Sequence, residues 1–272
     1  MRRNDVMFRR LRENDREMVM EMLNQDTLIH IGRISTVRLF GLDSDEFVLY
    51  GEFDEEKLVS LITNYKSIAA SYYSEGKRDI LEAIELIRGL EWKSFSGRKE
   101  LILPFKPFLD HQRTYESFLS VARQFDCFDL TEFELTTMTT EEELQELMNL
   151  LFQIDEFEAL RLISKEKAIA EMRENYFEFK DGLFVYLRKE GKIVAMAGSM
   201  LENDEYAYIT SVATLPSERK KGYATVVVKY LMNEYNNMNK KLCLNYDNLE
   251  AAKIYHRLGF VDQDESLVLI RE

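Results

Sequence analysis

Val212-Ala213-Thr214-Leu215-Pro216-Ser217-Glu218-Arg219-Lys220-Lys221-Gly222-Tyr223-Ala224 is the stretch whose reading decides the fold. It opens as an apolar, β-branched strand that stops at Pro216. Arg219, Lys220 and Lys221 follow, then Gly222, then a run from Tyr223 with helical spacing of apolar residues. A helix N-terminus therefore lies just past the end of a strand. Its first N–H groups have no intrahelical acceptor, and the dipole favours an anion there, phosphate above all. Gly222 keeps a side chain out of the approach, and Ala224 leaves the first turn open. Backbone N–H groups from Lys221 to Thr225, Tyr223 included, can converge on that anion. A lone R-x-x-G is common in solvated loops; the strand, the proline and the helix around this one give it weight.

A second segment lies downstream: Asn245-Tyr246-Asp247-Asn248-Leu249-Glu250-Ala251-Ala252-Lys253-Ile254-Tyr255-His256-Arg257-Leu258-Gly259-Phe260. Asn248 is a helix-capping residue type. Ala251 and Ala252 are small, so a ligand can lie against the first turns. Ala251 and Tyr255 are four apart and share a helix face, which aims the phenol where the small residues are. Taken alone, such a tyrosine is more often a half-buried core residue.

Together the two segments resemble the GNAT N-acetyltransferase superfamily. Arg219-Lys220-Lys221-Gly222-Tyr223-Ala224 matches its R/Q-x-x-G-x-G/A turn, and Asn248, Ala251, Tyr255, Gly259 and Phe260 match its N-x-x-A-x-x-x-Y-x-x-x-G-F helix. The resemblance implies a mixed α/β (α+β) GNAT fold, with a central, mostly antiparallel mixed sheet and flanking helices. It implies that the strand ending at Thr214 splays from the strand 242–245 and that acetyl-CoA lies between them as cosubstrate. Val212, Ala213 and Thr214 would pair with the pantetheine arm like an extra strand. The turn from Arg219 to Thr225 would hold the pyrophosphate. A backbone N–H at Val212 or Ala213 would meet the thioester carbonyl oxygen. Asn248 would contact the pantetheine, and Tyr255 would act as the acid for the leaving thiolate. An amine attacks the thioester directly, so no cysteine nucleophile is needed. Its deprotonation calls for a carboxylate, for which Glu202, Asp204, Glu205, Glu156 and Glu158 are the candidates, each more often a solvated loop charge. Tyr206, Tyr208 and Thr210 would line the acceptor side.

Around these motifs the second half reads as strand 133–138, a capping box at Thr140 and Glu143, and an apolar helix stripe of Leu144, Leu147, Met148 and Leu151. Helix 165–176, strand 183–188, a hairpin turn at 189–192, strand 193–200 and strand 206–214 follow. Then come helix 223–236, strand 242–245, a helix from Asn248 to Gly259, and a closing strand 267–270. The first half opens in the same way, with strand 7–11, a capping pattern at Asn14 and Glu17, and Met18, Val19, Met22 and Leu23 at helical spacing. Internal duplication and coincidence both explain this. Strands are read at 46–50, 58–62 and 99–103, and a helix capped by Asp79 runs over Ile80, Ile84 and Ile87 to Gly89. The first half lacks both motifs. The resemblance divides the chain into a degenerate GNAT-like domain, 1–130, and a catalytic GNAT domain, 131–272. The first is expected to wall the acceptor cleft, or to pack and dimerise, which admits a homodimer.

Composition narrows the function further. The 272 residues carry a formal net charge of -13, which disfavours a nucleic-acid partner and weakly favours a small cationic amine over a protein acceptor. Cys127 and Cys243 have no metal or disulfide spacing, and His30, His111 and His256 are far apart, so no metal is expected. No signal peptide and no membrane-spanning run is visible, so the expected setting is cytoplasmic. Two rival functions stay open: a non-catalytic acyl-CoA-binding regulator, and an aminoacyl-tRNA-dependent transferase, which would need a basic RNA-binding surface.

Overall fold

The computed structural model describes residues 8–76, 78–123, 127–154, 157 and 164–271. Its packing separates two units. One holds the described residues through Ser120, Asn245–Leu249 and those from Asp262 onward; the other holds Val121–Leu244 and Glu250–Val261. The packing boundary thus falls ten residues before 130/131, and the end of the chain packs with the first unit.

In the first unit, β1 (Arg9–Arg10) leads to α1 (Arg16–Leu23) and α2 (Ile31–Phe40). Then come β2 (Phe47–Asp54), β3 (Lys57–Tyr65), β4 (Ala69–Ser74), α3 (Leu81–Gly89), β5 (Ser94–Arg98), α4 (Lys99–Ile102) and β6 (Arg113–Ala122). β1 to β4 are antiparallel neighbours, and β5 joins β4 in parallel. Val19, Leu23, Ile34 and Val37 pack with Leu49 and Leu61 on one side. Ile84 and Ile87 pack with Ile62, Tyr72 and Phe95 on the other. Leu61 and Ile62 are consecutive on β3, so the pleat sends them to opposite faces and both are buried.

The second unit repeats this order. It runs β7 (Leu135–Thr137), α5 (Glu141–Leu151), α6 (Lys165–Arg173), β8 (Phe184–Lys189), β9 (Lys192–Met200), β10 (Tyr206–Thr214), α7 (Tyr223–Asn237), β11 (Lys241–Tyr246) and α8 (Leu249–Arg257). β7 to β10 are again antiparallel neighbours, and β11 joins β10 in parallel. The element order and the strand directions thus recur in the two units. The last strand, β12 (Phe260–Ile270), pairs antiparallel with β5 from Ser266↔Arg98 to Ile270↔Ser94.

Local rules explain several elements. Thr140 accepts the Glu143 N–H at 3.2 Å, and the Glu143 carboxylate accepts the Thr140 N–H at 3.0 Å, so the capping box forms. The stripe it starts buries Leu144, Leu147, Met148 and Leu151. The β8–β9 turn has Glu190 at φ 51° and Gly191 at φ 78°, the positive pair of a tight hairpin.

Elsewhere the structure corrects the sequence. Asn14 and Glu17 do not cap α1. The chain enters through a 3-10 turn at Glu13–Asp15, where the Asp15 carboxylate accepts the Arg12 N–H at 2.9 Å and is held by Arg9. Residues 99–103 are not a strand but α4 and the start of a 3-10 turn with Pro104 in its first turn. Ile102 and Phe105, three apart, are buried while Leu103 is 53% exposed, a helical pattern rather than an alternating one. Helix 165–176 ends early and passes into a wide π turn, Glu174–Glu178. The closing strand begins at Phe260, not 267. Among the described residues no helix is long and apolar enough to cross a membrane.

Candidate active site

The site begins where β10 loses one neighbour. On one side β10 pairs with β9 as far as Thr214↔Ala195. On the other it pairs with β11 only at Tyr206↔Lys241, Ala207↔Leu242 and Tyr208↔Cys243. Among the described residues, no strand is paired with that edge of β10 from Ile209 onward. A bulge lies between Ile209 and Ser211, at Thr210. Such an insertion bends the strand and re-aims the residues beyond it, here Val212 to Thr214. That open edge offers backbone donors and acceptors to an extended ligand.

β10 ends at the turn into α7. Gly222 is the N-cap of α7 with φ 85° and ψ 0°, and no side chain caps the helix. Lys220 is also left-handed, at φ 64°. Two left-handed residues around Lys221 turn successive N–H groups toward one side, the construction of an anion nest. A Cβ added to Gly222 meets nothing within 4 Å. Glycine is therefore needed for its φ, and the space before α7 is open. The Arg219 Nε donates to the Thr214 carbonyl at 3.4 Å, tying the turn to the strand end. Lys221 pairs with Glu218 at 2.9 Å, and Lys189 approaches the same carboxylate at 3.5 Å. The hydrogen bond from Lys221 and the charge of Lys189 hold the Glu218 carboxyl below its ordinary range. Part of the basic charge counted in the sequence is thus spent inside the protein.

On α8, Ala251 and Tyr255 are both part-exposed, and Ala252 is buried. The Tyr255 ring meets Phe260 edge-on at 5.8 Å. Burial pushes its phenol up to about 12, so it stays protonated across the physiological range. Asn248 is exposed immediately before α8, in the segment Asn245–Leu249 that packs with the first unit.

The carboxylate candidates separate clearly. Glu202 accepts from the Tyr235 hydroxyl and is paired with Lys240, so it is engaged in holding the β9–β10 turn. Asp204 and Glu205 are exposed in that turn, whose backbone is capped by Asn203. Glu156 and Glu158 lie outside the described residues. Tyr206, Tyr208 and Thr210 are part-exposed on β10. Two further residues carry no local sequence signal. Asp181, buried, accepts the Leu201 and Glu202 N–H groups at 3.0 Å each, and burial raises its carboxyl. Tyr176, also buried, donates to the Ser199 carbonyl at 2.7 Å. Their partners are distant in sequence, so no local pattern marks them. Burial pushes the Cys243 thiol up to about 12, which makes it an inert core residue. Among the described residues no group of three or more His, Cys, Asp or Glu is placed to hold a metal ion.

The first unit treats the equivalent place differently. β4 and β5 pair at Ala69↔Ser94, Ala70↔Phe95 and Ser71↔Ser96. One step on, a Cβ at Gly97 would lie 2.5 Å from the Tyr72 carbonyl oxygen and 3.0 Å from Ile102. The strands stay in contact there, and the segment after β4, Glu75-Gly76-Lys77-Arg78, puts its glycine before the basic residues instead of after them, with Arg78 turned to Asp54 at 3.4 Å.

Residues 144–260 match the model of the acetyltransferase (GNAT) family. No curated protein matches the chain. Among solved structures, a tandem GNAT protein from the clavulanic acid biosynthesis pathway is 12% identical, with 98% of each chain covered and a TM-score of 0.64. A GCN5-related N-acetyltransferase from Sphaerobacter thermophilus is 12% identical over 100% of this chain and 97% of that one, with a TM-score of 0.67. A GNAT-family acetyltransferase from Colwellia psychrerythraea is 14% identical over 97% and 99%, with a TM-score of 0.57. These likenesses establish the fold: a GNAT fold, present in tandem.

Proposed function

We propose, on the match of residues 144–260 to the GNAT acetyltransferase family model, that the chain is an acetyl-CoA-dependent N-acetyltransferase that acetylates a primary amine by direct attack on the thioester. One observation carries this reading. In the second unit, the open edge of β10 leads straight into an uncapped helix N-terminus behind a left-handed glycine.

These residues fit the cosubstrate. The N–H groups at Lys221 to Thr225, with Arg219 and Lys220, suit a pyrophosphate. The edge at Val212, Ala213 and Thr214 suits the amide-bearing pantetheine arm, and small Ala251 leaves it room. Bound acetyl-CoA supplies an acyl group activated as a thioester. The chain's own part is to align that group with the amine and to aim a backbone N–H at Val212 or Ala213 where negative charge develops on the carbonyl oxygen. Tyr255, neutral, is suited to place its proton at the departing sulfur. Asn248 is assigned to the pantetheine by its motif position. The acidic surface favours a small cationic amine over a protein acceptor. The first unit is assigned a supporting role, because its β4–β5 gap is filled at Gly97 and Tyr72.

The test is to incubate the full chain with acetyl-CoA and a panel of primary amines, following thiol release and N-acetyl product. Amine-dependent thiol release with one acetamide formed per thiol supports the reading. Tight acetyl-CoA binding without release for any amine favours an acyl-CoA-binding regulator instead.

A further inference from the structure

We propose that the first unit holds a small carboxylate-bearing molecule at the start of α2, where His30, Arg33 and Tyr73 meet. This goes beyond the transferase reading and does not depend on it. His30 is the N-cap of α2, and no side chain caps that helix. Its ring is fully buried and stands at 77° to the Tyr73 ring, 4.3 Å away. Arg33 lies in the first turn that follows. Its Nη1 meets the His30 Nδ1 at 3.2 Å, and its Nη2 donates to the Ser71 Oγ at 2.8 Å. Ser71 in turn shares a 2.6 Å hydrogen bond with Thr63, its cross-strand neighbour on β3. The guanidinium lies 5.8 Å from the centre of the Tyr73 ring. All these residues belong to the first unit.

The groups bonded to the guanidinium are neutral. An arginine can only donate, so the His30 Nδ1 accepts and the imidazole carries its proton on Nε2. Burial pulls that imidazole down to about 2, so it takes up no second proton at neutral pH. Its Nε2–H is buried and meets no acceptor among the described residues, and the same holds for the buried Arg33 Nε–H. Nor does Arg33 have an acidic partner among them. Asp26, on the turn before α2, accepts the Ile29 N–H at 3.1 Å instead. Burial lowers the guanidinium to about 10, which leaves it charged at neutral pH. A sequestered cation with no counter-ion and two buried donors with no acceptor are all costly. One carboxylate answers them together, with a single negative charge and two oxygens that only accept. The uncapped N-terminus of α2 favours the same sign. A phosphate brings nearly two charges to a site that supplies one full charge. Arg33 and Tyr73 are part-exposed, so the cluster reaches the protein surface. Ser71 is the third residue of β4 paired with β5, as Tyr208 is the third of β10 paired with β11. The cluster thus takes, in the first unit, the place assigned to the acceptor side in the second.

The test uses the full chain with its histidines labelled for NMR, in chloride buffer at neutral pH and constant ionic strength, with sodium acetate as the probe. The His30 Nε2–H signal, assigned by its loss in His30→Asn, is expected to shift and saturate. A ligand this small should show a Kd between about 0.1 and 10 mM. The signals of His111 and His256 should stay in place. Arg33→Met removes the cation and should weaken acetate by about tenfold or more. Arg33→Lys keeps the charge without the fork and should weaken it by about tenfold. Sodium phosphate should bind less tightly than acetate. A His30 signal that does not respond to acetate overturns the proposal in the parent chain alone, whether or not Arg33→Met folds. A common shift of all three histidines overturns it too, as does undiminished binding in either arginine variant. Tighter binding of phosphate overturns the carboxylate assignment. The readout needs neither acetyl-CoA nor turnover, so its failure and that of the transferase reading are separate results.

Discussion

Gly222→Ala isolates what the turn before α7 does, because its two effects can be separated. Gly222 sits at φ 85°, where an L residue is strained by about 1–2 kcal/mol. A Cβ there touches no atom within 4 Å, so there is no steric cost to add. Gly191, in the β8–β9 hairpin, gives a matched control: φ 78°, and again nothing within 4 Å of an added Cβ. Both alanine variants should lose about 1–2 kcal/mol of stability, seen as a few degrees in Tm. Only Gly222→Ala puts a methyl group into the open space before the helix. If a pyrophosphate is held there, one charge-assisted hydrogen bond is lost or lengthened, worth about 1.5–3 kcal/mol. Acetyl-CoA affinity measured by calorimetry should then fall about tenfold to a hundredfold in Gly222→Ala and stay at the parent value in Gly191→Ala. Equal affinity in the two variants would refute the anion assignment, whatever happens to Tm. A parallel loss of affinity in both would show that strain, not blocked approach, is responsible.

Other predictions follow from the same geometry. Tyr255→Phe should lower kcat about a hundredfold to a thousandfold with acetyl-CoA affinity unchanged, and an unaltered rate removes Tyr255 as the acid. Because burial raises that phenol to about 12, the parent rate should show no descending limb centred near pH 10; one that disappears in Tyr255→Phe would contradict the burial argument. His30 is fully buried and its imidazole is pushed down to about 2, by burial first and then by Arg33 and Arg98. The unfolded chain takes up that proton below about 6.5 and the folded one does not. Stability is therefore present above 6.5 and is lost on acidification, by about 2 kcal/mol between pH 6.5 and pH 5. Urea titrations of His30→Asn against the parent should show that slope removed; parallel slopes would refute it. Gly97→Ala should cost about 1–3 kcal/mol, since its methyl group meets the Tyr72 carbonyl. A neutral effect would mean that β4 and β5 can part.

What could be read from the sequence was what local chemistry dictates. The strand, turn and helix at 206–237 carry their own signals: a β-branched strand, a proline, a glycine that proves left-handed, and an apolar helix stripe. Thr140 and Glu143 satisfy each other within one turn, so their box is legible. Asn14 and Glu17 have the same spacing, but Asp15 between them is drawn into a pair with Arg9, which no local rule ranks first. Residues 99–103 mislead because a helix of one turn, Lys99–Ile102, is too short to show its period. β4 was missed because its sequence, Ala69-Ala70-Ser71-Tyr72-Tyr73-Ser74, is small and polar at most positions and is buried by its neighbours. At the candidate site, the motif residues were legible and their supports were not. Tyr176 meets Ser199 and Asp181 meets Leu201 only through the tertiary fold.

The segment exchange between the two units has a consequence for how the chain lives as a molecule. Its path passes between units at Ser120/Val121, Leu244/Asn245, Leu249/Glu250 and Val261/Asp262. No single cut yields two complete pieces. A fragment ending near residue 130 lacks the strand that covers β5, and the remainder carries that strand with its partner removed. Two units of like element order are thus tied to one another along the chain. A break at any one linker leaves at least one unit without a segment that packs in it.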